Sequence, residues 1–225
     1  MKKLFYGSLL VLTSLTLITS CKKDEETKTY ANVLVTHASP NAPGVDLLVD
    51  GSKQNSAALA YPNNTGYLQV ESGTRNIKVN VSGTSTSVIT ADLTLEKDKS
   101  YSVFAVDSVS KISAVVLADD LTAPAAGKAH VRFVHLSPNA PAVDVAVAGG
   151  GAVVFGNKAF KEYTAFTPLD AGSYNLEVRV AGTSTVALTL PTITLESGKI
   201  YTVFAKGFLG GSGSEALGAE IIVNK

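Results

Sequence analysis

The chain has 225 residues, of which 45% are hydrophobic and 17% charged, and this is the composition of a globular protein with one or two domains. Its 19 basic and 19 acidic residues balance, so the sequence lacks the excess of positive charge that nucleic-acid binding requires. The same balance excludes a polybasic surface for anionic lipid, and no nucleic-acid partner is expected.

The first twenty residues have the features of a secretory signal peptide. Two lysines follow the initiating methionine, and residues 4–18 form an apolar run that is too short to span a membrane comfortably. The run ends in an aliphatic residue, two small residues and Cys21, which resembles the bacterial lipobox, where the cysteine is acylated and the chain is cut before it. We therefore predict a signal peptide over residues 1–20 and lipid attachment at Cys21. The alternative is an ordinary secretory signal with a chance cysteine.

Residues 21–29 are charged and poor in apolar side chains, so we expect a flexible tether. Its lysines and acidic residues resemble the export tag of surface lipoproteins in some two-membrane bacteria, although a solvated spacer explains them equally well. Because Cys21 is the only cysteine, its acylation leaves no disulfide, and each domain must be held by its core alone. The expected location is the bacterial cell envelope, with the outer membrane favoured and the periplasmic and external faces both open.

A ten-residue motif occurs twice in the chain. His37-Ala38-Ser39-Pro40-Asn41-Ala42-Pro43-Gly44-Val45-Asp46 returns as His135-Leu136-Ser137-Pro138-Asn139-Ala140-Pro141-Ala142-Val143-Asp144. Residues 73–86 likewise return at 172–185, and residues 95–105 return at 195–205. The separation between corresponding residues increases from 98 to 100 along the repeat, and two single-residue insertions in loops of the second copy account for this increase. The chain therefore contains two copies of one domain.

Within each copy, apolar and polar residues alternate with the period of a β-strand. Val79 and Val178 are the central apolar residues of two such runs, which are typical of half-buried antiparallel strands. Turn residues at intervals of about ten favour a sandwich or barrel. We predict an all-β fold of two tandem antiparallel, immunoglobulin-like β-sandwiches over residues 30–121 and 128–225, joined by a linker at residues 122–127.

The same alternation predicts which polar side chains point to solvent. These outward residues are Asn76, Lys78, Asn80 and Ser102 in the first copy, and Asn175, Glu177, Arg179 and Thr202 in the second. A substitution that places a carboxylate at Val178 should then unfold the second domain, because it would bury an unpaired charge.

The repeated pattern resembles a known family. His-x-Ser-Pro-x-Ala-Pro-x-Val-Asp, then Gly-x-(Tyr)-x-Leu-x-Val, then Leu-x-x-Gly-Lys-x-Tyr-Thr-Val-Phe-Ala, is similar to the DUF4397 domain, twice and over nearly all of the mature chain. The resemblance implies bacterial extracytoplasmic β-sandwich modules, frequently in tandem and on lipoproteins, with no assigned function. The first copy departs at Lys97-Asp98-Lys99, where the second has Ser197-Gly198-Lys199, and this affects only a turn.

The repeated motif invites a catalytic or metal-binding interpretation, because Ser, His and Asp together perform acyl transfer and His with Asp can bind a metal. The residues concerned are His37, Ser39 and Asp46 in the first copy and His135, Ser137 and Asp144 in the second. A structural turn held by His, Ser and Asp is favoured, because each histidine follows core residues at period two and each serine precedes a proline, which has no N–H. One His and one Asp per copy are also too few for zinc. We expect no catalytic residue, no metal and no cofactor.

Aromatic residues are the remaining candidates for ligand contact. The chain has no Trp, so a sugar-binding platform would depend on tyrosines. The best candidates are Tyr61 and Tyr67, which Phe160 and Phe166 match in the second copy, and the unmatched Tyr163. Packing at the edge of the core explains them equally well.

The sequence as a whole predicts a lipid-anchored, non-catalytic adhesion, scaffold or ligand-presenting module of the cell envelope. Its expected partners are the membrane, through the anchor only, and an envelope protein or polysaccharide. One alternative is a glycan- or peptide-binding accessory of an outer-membrane uptake system. The other is a hydrolase that uses the repeated motif, which would need an exposed His135 within hydrogen-bond reach of Ser137. The ligand, the oligomeric state and the relative orientation of the domains are left open.

Overall fold

The computed structural model describes Met1 and residues 27–225, so Cys21 and nearly all of the predicted signal peptide lie outside the described residues. The strands of the first copy are β1 (Tyr30–His37), β2 (Val45–Val49), β3 (Ser52–Lys53), β4 (Asn64–Glu71), β5 (Gly73–Val81), β6 (Ser87–Leu95), β7 (Ser100–Val106) and β8 (Ser113–Asp119). Those of the second copy are β9 (Lys128–His135), β10 (Val143–Val147), β11 (Val153–Lys158), β12 (Thr167–Asp170), β13 (Gly172–Tyr174), β14 (Leu176–Val180), β15 (Val186–Thr189), β16 (Ile193–Leu195), β17 (Ile200–Lys206) and β18 (Gly218–Val223). Two single 3₁₀ turns, Val109–Lys111 and Gly213–Glu215, are the described helices, and neither is long and apolar enough to cross a bilayer.

Each copy is a sandwich of two sheets. The first copy packs a sheet of order β4-β1-β7-β8 on one of order β3-β2-β5-β6. The second packs β12-β9-β17-β18 on β11-β10-β14-β15, with β13 and β16 forming a short extra ladder. Alternate residues fill the space between the sheets, and Val79 and Val178 are both buried there. The predicted β-sandwich fold class is confirmed.

One pair of strands in each copy is parallel, which the alternating pattern did not indicate. β1 pairs with β7, and β9 pairs with β17 in the same register one copy later. Parallel neighbours need a long crossover, and here the intervening strands of the opposite sheet provide it. All other strand pairs that the structure describes are antiparallel.

A third apolar core joins the two copies. It is formed by the outer faces of the β1 and β9 sheets, so that four sheets are stacked in one body. Phe104 and its counterpart Phe204 meet there edge to face, with ring centroids 5.9 Å apart. Leu34, Leu117 and Ile222 pack beside them. No strand of one copy pairs with a strand of the other among the described residues, so strand hydrogen bonds do not contribute to this contact.

The prediction that eight polar residues face solvent is wrong for five of them, since Asn80, Ser102, Glu177, Arg179 and Thr202 are buried, whereas Asn76 and Lys78 are partly exposed and Asn175 is exposed. Ser102 and Thr202 point away from their own sandwich cores, but into the contact between the copies. On the outer face of the second copy, Arg179 pairs with Glu177 at 2.7 Å and donates to carbonyls of the 147–151 turn, which covers both residues. Asn80 accepts a hydrogen bond from Ser87 on the neighbouring strand. Strand period identifies a face, but it does not say whether something else covers that face.

Candidate functional site

The two motif histidines lie at the ends of β1 and β9 and are completely buried. The Nε2 atoms of His37 and His135 each lie 3.0 Å from a proline carbonyl of the following turn. The Nδ1 atom of His135 accepts a bond from the Ser137 backbone N–H at 3.3 Å, which requires the Nε2 atom to carry the proton. Burial lowers the pKa of both imidazoles, so they are neutral near pH 7.

The two motif serines are buried and do not contact the histidine rings through their hydroxyls. The Ser39 hydroxyl donates to the Asp107 carbonyl at 2.6 Å, which fixes the loop after β7. The Ser137 hydroxyl is buried without a hydrogen-bond partner among the described residues. A nucleophilic serine needs a histidine within hydrogen-bond reach of its hydroxyl and access for a substrate. This geometry counts against the hydrolase hypothesis.

The motif aspartates bind a different turn, so the expectation of one turn held by His, Ser and Asp is corrected. Asp46 accepts from the Gly83 N–H at 3.0 Å and forms an ion pair with Lys53 at 2.8 Å. These contacts with Lys53 and Gly83 lower the pKa of Asp46 to about 2. Asp144 accepts from the Gly182 N–H at 2.8 Å. The second repeated segment, the hairpin turn at Gly83 and Gly182, is therefore repeated because it is the partner of this aspartate.

The motif asparagines have a role that the sequence did not reveal. Asn41 accepts a bond from the Val109 N–H, and Asn139 both accepts from and donates to the Leu209 backbone, at 2.8 and 3.0 Å. Each asparagine thereby holds the loop that follows β7 or β17. The sequence did offer one indication of this role, because the same position of the motif is an asparagine in both copies.

Two of the three candidate tyrosines lie at the contact between the copies. Tyr67 donates to Asp119 at 2.6 Å and accepts from Asn224 at 3.1 Å, while Tyr61 packs under the Lys206 ammonium, 5.3 Å from its ring centre. Burial, together with nearby carboxylates, raises the pKa of both phenols. Tyr163 is half exposed, so it alone of the three is free to contact a ligand with most of its ring.

A buried charge pair, which sequence analysis missed, lies at the centre of this contact. Arg132 of β9 donates to Asp119 of β8 at 2.7 Å, and both side chains are inaccessible to solvent. The guanidinium also donates to the hydroxyls of Ser102 and Thr202 and lies 4.4 Å from the ring centre of Phe166. Every side-chain nitrogen and oxygen of the pair thus has a hydrogen-bond partner, and both copies contribute to this network, as a buried charge requires.

An apolar groove of about 430 Å³ lies at the open edge of the second sandwich, between β16 and β18. Its walls include Ile193, Ile221 and Val223, and the last two are 42% and 58% exposed. Pro191 interrupts the strand that runs continuously as β6 in the first copy, leaving β15 and β16 as separate pieces. Across residues 27–225, no three His, Cys, Asp or Glu side chains group closely enough to hold a metal ion.

Fold and contacts together define a protein of two tandem β-sandwiches in which the repeated polar motif binds its own backbone. The family model of a domain of unknown function, DUF4397, matches residues 31–146 and 145–224, and the chain belongs to this family. The resemblance seen in the sequence is confirmed. A search of curated proteins found no match. A solved structure of CBMbc, a family CBM26 module of Eubacterium rectale Amy13K in complex with maltoheptaose, is similar at 10% identity with a TM-score of 0.24, over 85% of this chain and 95% of that one.

Proposed function

We propose that this protein is a lipid-anchored, non-catalytic binding module of the cell envelope, in which the first copy is a support and the second copy presents the binding surface. The observation that carries the proposal is the groove between β16 and β18, whose walls are mostly apolar and include the exposed side chains of Ile221 and Val223. The repeated polar motif makes backbone contacts in both copies, and the two atoms of its histidines and serines without a partner among the described residues, the Ser137 hydroxyl and the His37 Nδ1, are buried out of reach of a substrate.

Exposed apolar residues support the division of roles between the copies. In the first copy they are Tyr30, Val109 and Val116. In the second copy they are Val147, Val153, Tyr163, Val186, Leu209, Ile221 and Val223. An apolar surface that remains exposed on a folded domain is typical of a site for a partner.

The groove favours a protein partner over a glycan. Tyr201, the aromatic residue among its walls, is 4% exposed, so the groove offers no flat ring on which a sugar could stack. β18 is the edge strand of its sheet, and an extended segment of a partner can pair with such an edge while its side chains enter the groove. We therefore assign an envelope protein with an extended apolar segment as the partner, and a polysaccharide as the alternative.

Site-specific photo-crosslinking of the full chain in native envelopes tests this assignment. A photoreactive residue at Ile221 should yield a defined crosslinked protein. Val116 is the matched control, because it has the corresponding position on β8 and is 39% exposed, close to the 42% of Ile221. Equal crosslinking at both positions would overturn the proposal, and so would retention of a polysaccharide in place of a protein.

Metabolic labelling with a palmitate analogue tests the anchor separately. The full chain should incorporate label and fractionate with membranes, whereas Cys21→Ala should do neither. Label that persists in Cys21→Ala would refute attachment at that cysteine.

A further inference from the structure

A largely enclosed cavity of about 190 Å³ lies at one end of the second sandwich, away from the groove. Its side walls come from both sheets and include Val178 and Leu188 of one sheet and Ala205 of the other. The motif turn, at Pro141, and the loop after β17, at Leu209, close its end. The same Asn139 that belongs to the motif holds Leu209 in this position through two hydrogen bonds.

The first copy has larger apolar side chains at two of the corresponding positions. Its Val88 and Leu59 pack against the core of the first sandwich. At the corresponding positions the second copy has Ala187, which lines the cavity, and Lys158, which is not part of the second core. The smaller side chain of Ala187 therefore accounts for part of the space, and the second core also lacks the leucine that Lys158 replaces.

The loop over the cavity is specified in detail by glycines. Gly207 has φ of +77°, and a Cβ there would overlap the Ala216 carbonyl, so no other residue fits. The first copy has a shorter connection between β7 and β8. The second copy therefore has less apolar side-chain volume beside the cavity and a longer β17–β18 loop over it. These are two independent differences from the first copy at the same place.

The chemistry of the walls selects an apolar ligand. The ring of His135 borders the cavity, but both of its nitrogens are already bonded, to the Pro141 carbonyl and the Ser137 N–H. A buried water needs two to four polar partners. Walls of hydrocarbon and an imidazole whose two nitrogens are already hydrogen-bonded do not offer them. Apolar cavities of roughly 150 Å³ admit benzene, so about 190 Å³ suits a ring or branched chain of roughly six to eight carbon atoms.

We propose that the second copy binds a small apolar molecule of this size beneath the loop of Leu209, and that the first copy does not. This goes beyond the binding of a protein in the groove, because it uses a different end of the sandwich. Leu209 is 46% exposed and lies between the cavity and solvent, which makes it the point of entry.

Benzene titration of the full chain, followed by methyl NMR, tests the proposal. The methyl signals of Val178 and Leu188 should shift saturably, while those of Val79 and Ile89, their counterparts in the first copy, should not. Ala187→Val restores the first copy's residue and should weaken benzene binding at least tenfold. Val88→Ile adds bulk to the first core and should leave the affinity unchanged.

A second variant keeps the test decisive if Ala187→Val fails to fold. Val180→Ile adds one methylene at the wall and should weaken binding by a smaller factor. Ile221→Glu, which disrupts the groove, should leave benzene binding intact, so failure here is distinguishable from failure of the proposed function. Absence of saturable shifts in the unmodified chain would overturn the proposal. So would a benzene affinity in both wall variants equal to that of the unmodified chain.

Discussion

The two copies share one topology but differ in how completely they are packed. In the first, β5 and β6 form one continuous ladder from Gly73 to Leu95. In the second, Pro191 splits the corresponding strand, an apolar groove opens beside it, and a cavity remains at one end. The accessible apolar groove and the cavity thus both lie in the second copy.

The contact between the copies shows a second difference, in charge. Arg132 occupies the position of Leu34, and Asp119 occupies the position of Asn224, so each copy supplies one member of the buried pair. In the same contact between two first copies Asp119 would face Leu34, and between two second copies Arg132 would face Asn224, so a buried charge would lack its partner in either case. The pair therefore selects the contact between unlike copies by penalising the contact between like ones.

A carboxylate placed in either core has the largest expected effect on stability. Val79→Asp and Val178→Asp alter corresponding buried positions, and each should lower the free energy of unfolding by at least about 3 kcal/mol. Val178 borders the cavity, where water can enter to solvate the new charge, so its substitution should cost less than that of Val79. Urea unfolding of both variants measures the difference, and an equal loss would mean that the cavity does not relieve the charge.

Removing one member of the buried pair comes next. Arg132→Leu and Asp119→Asn each install the other copy's residue, and each should cost about 3–5 kcal/mol because a charge is left buried alone. The double variant should recover most of this loss, since neither charge then remains. Denaturant unfolding of the three variants provides the double-mutant cycle. Simple additivity of the two losses would contradict a direct interaction between these side chains.

Period-two alternation was sufficient to predict the core of each sandwich, because only one face of β5 and β14 packs on the opposite sheet. It failed for Ser102 and Thr202, whose strands are covered on both sides. The signal was nevertheless present: β7 and β17 contain nearly continuous apolar runs around Phe104 and Phe204, which indicate burial of both faces. Which charged residues meet across that face depends on how the two copies pack against each other. The local sequence pattern does not determine that packing.

The candidate site was predictable only in part, for a related reason. The spacing after Val33 and Val131 indicated histidines on the core faces of their strands, and the structure places both there. The partner of Asp46 lies 37 residues away, in the turn at Gly83. Such long-range hydrogen bonds follow from the fold, although the joint repetition of both segments was a hint.

Acidification has the smallest expected effect and distinguishes the two motif histidines. Burial lowers the pKa of His37 and His135 below 6.5, so below that pH the unfolded chain takes up protons that the folded chain does not. Stability should therefore fall as the pH drops from about 6.5, by at most about 1.4 kcal/mol per pH unit for each histidine. Urea unfolding between pH 7 and pH 5 measures this slope.

The two histidines differ in what a proton would displace. On His135 a proton at Nδ1 must break the bond from the Ser137 N–H, whereas the Nδ1 atom of His37 is buried with no partner among the described residues. His135→Gln and His37→Gln should each remove about half of the slope, and the double variant should remove nearly all of it. Since Glu162 acts on His135 to raise its pKa, the slope that remains in His37→Gln should end at a higher pH than the slope that remains in His135→Gln. The reverse order would show that the lost Ser137 bond outweighs the field of that carboxylate.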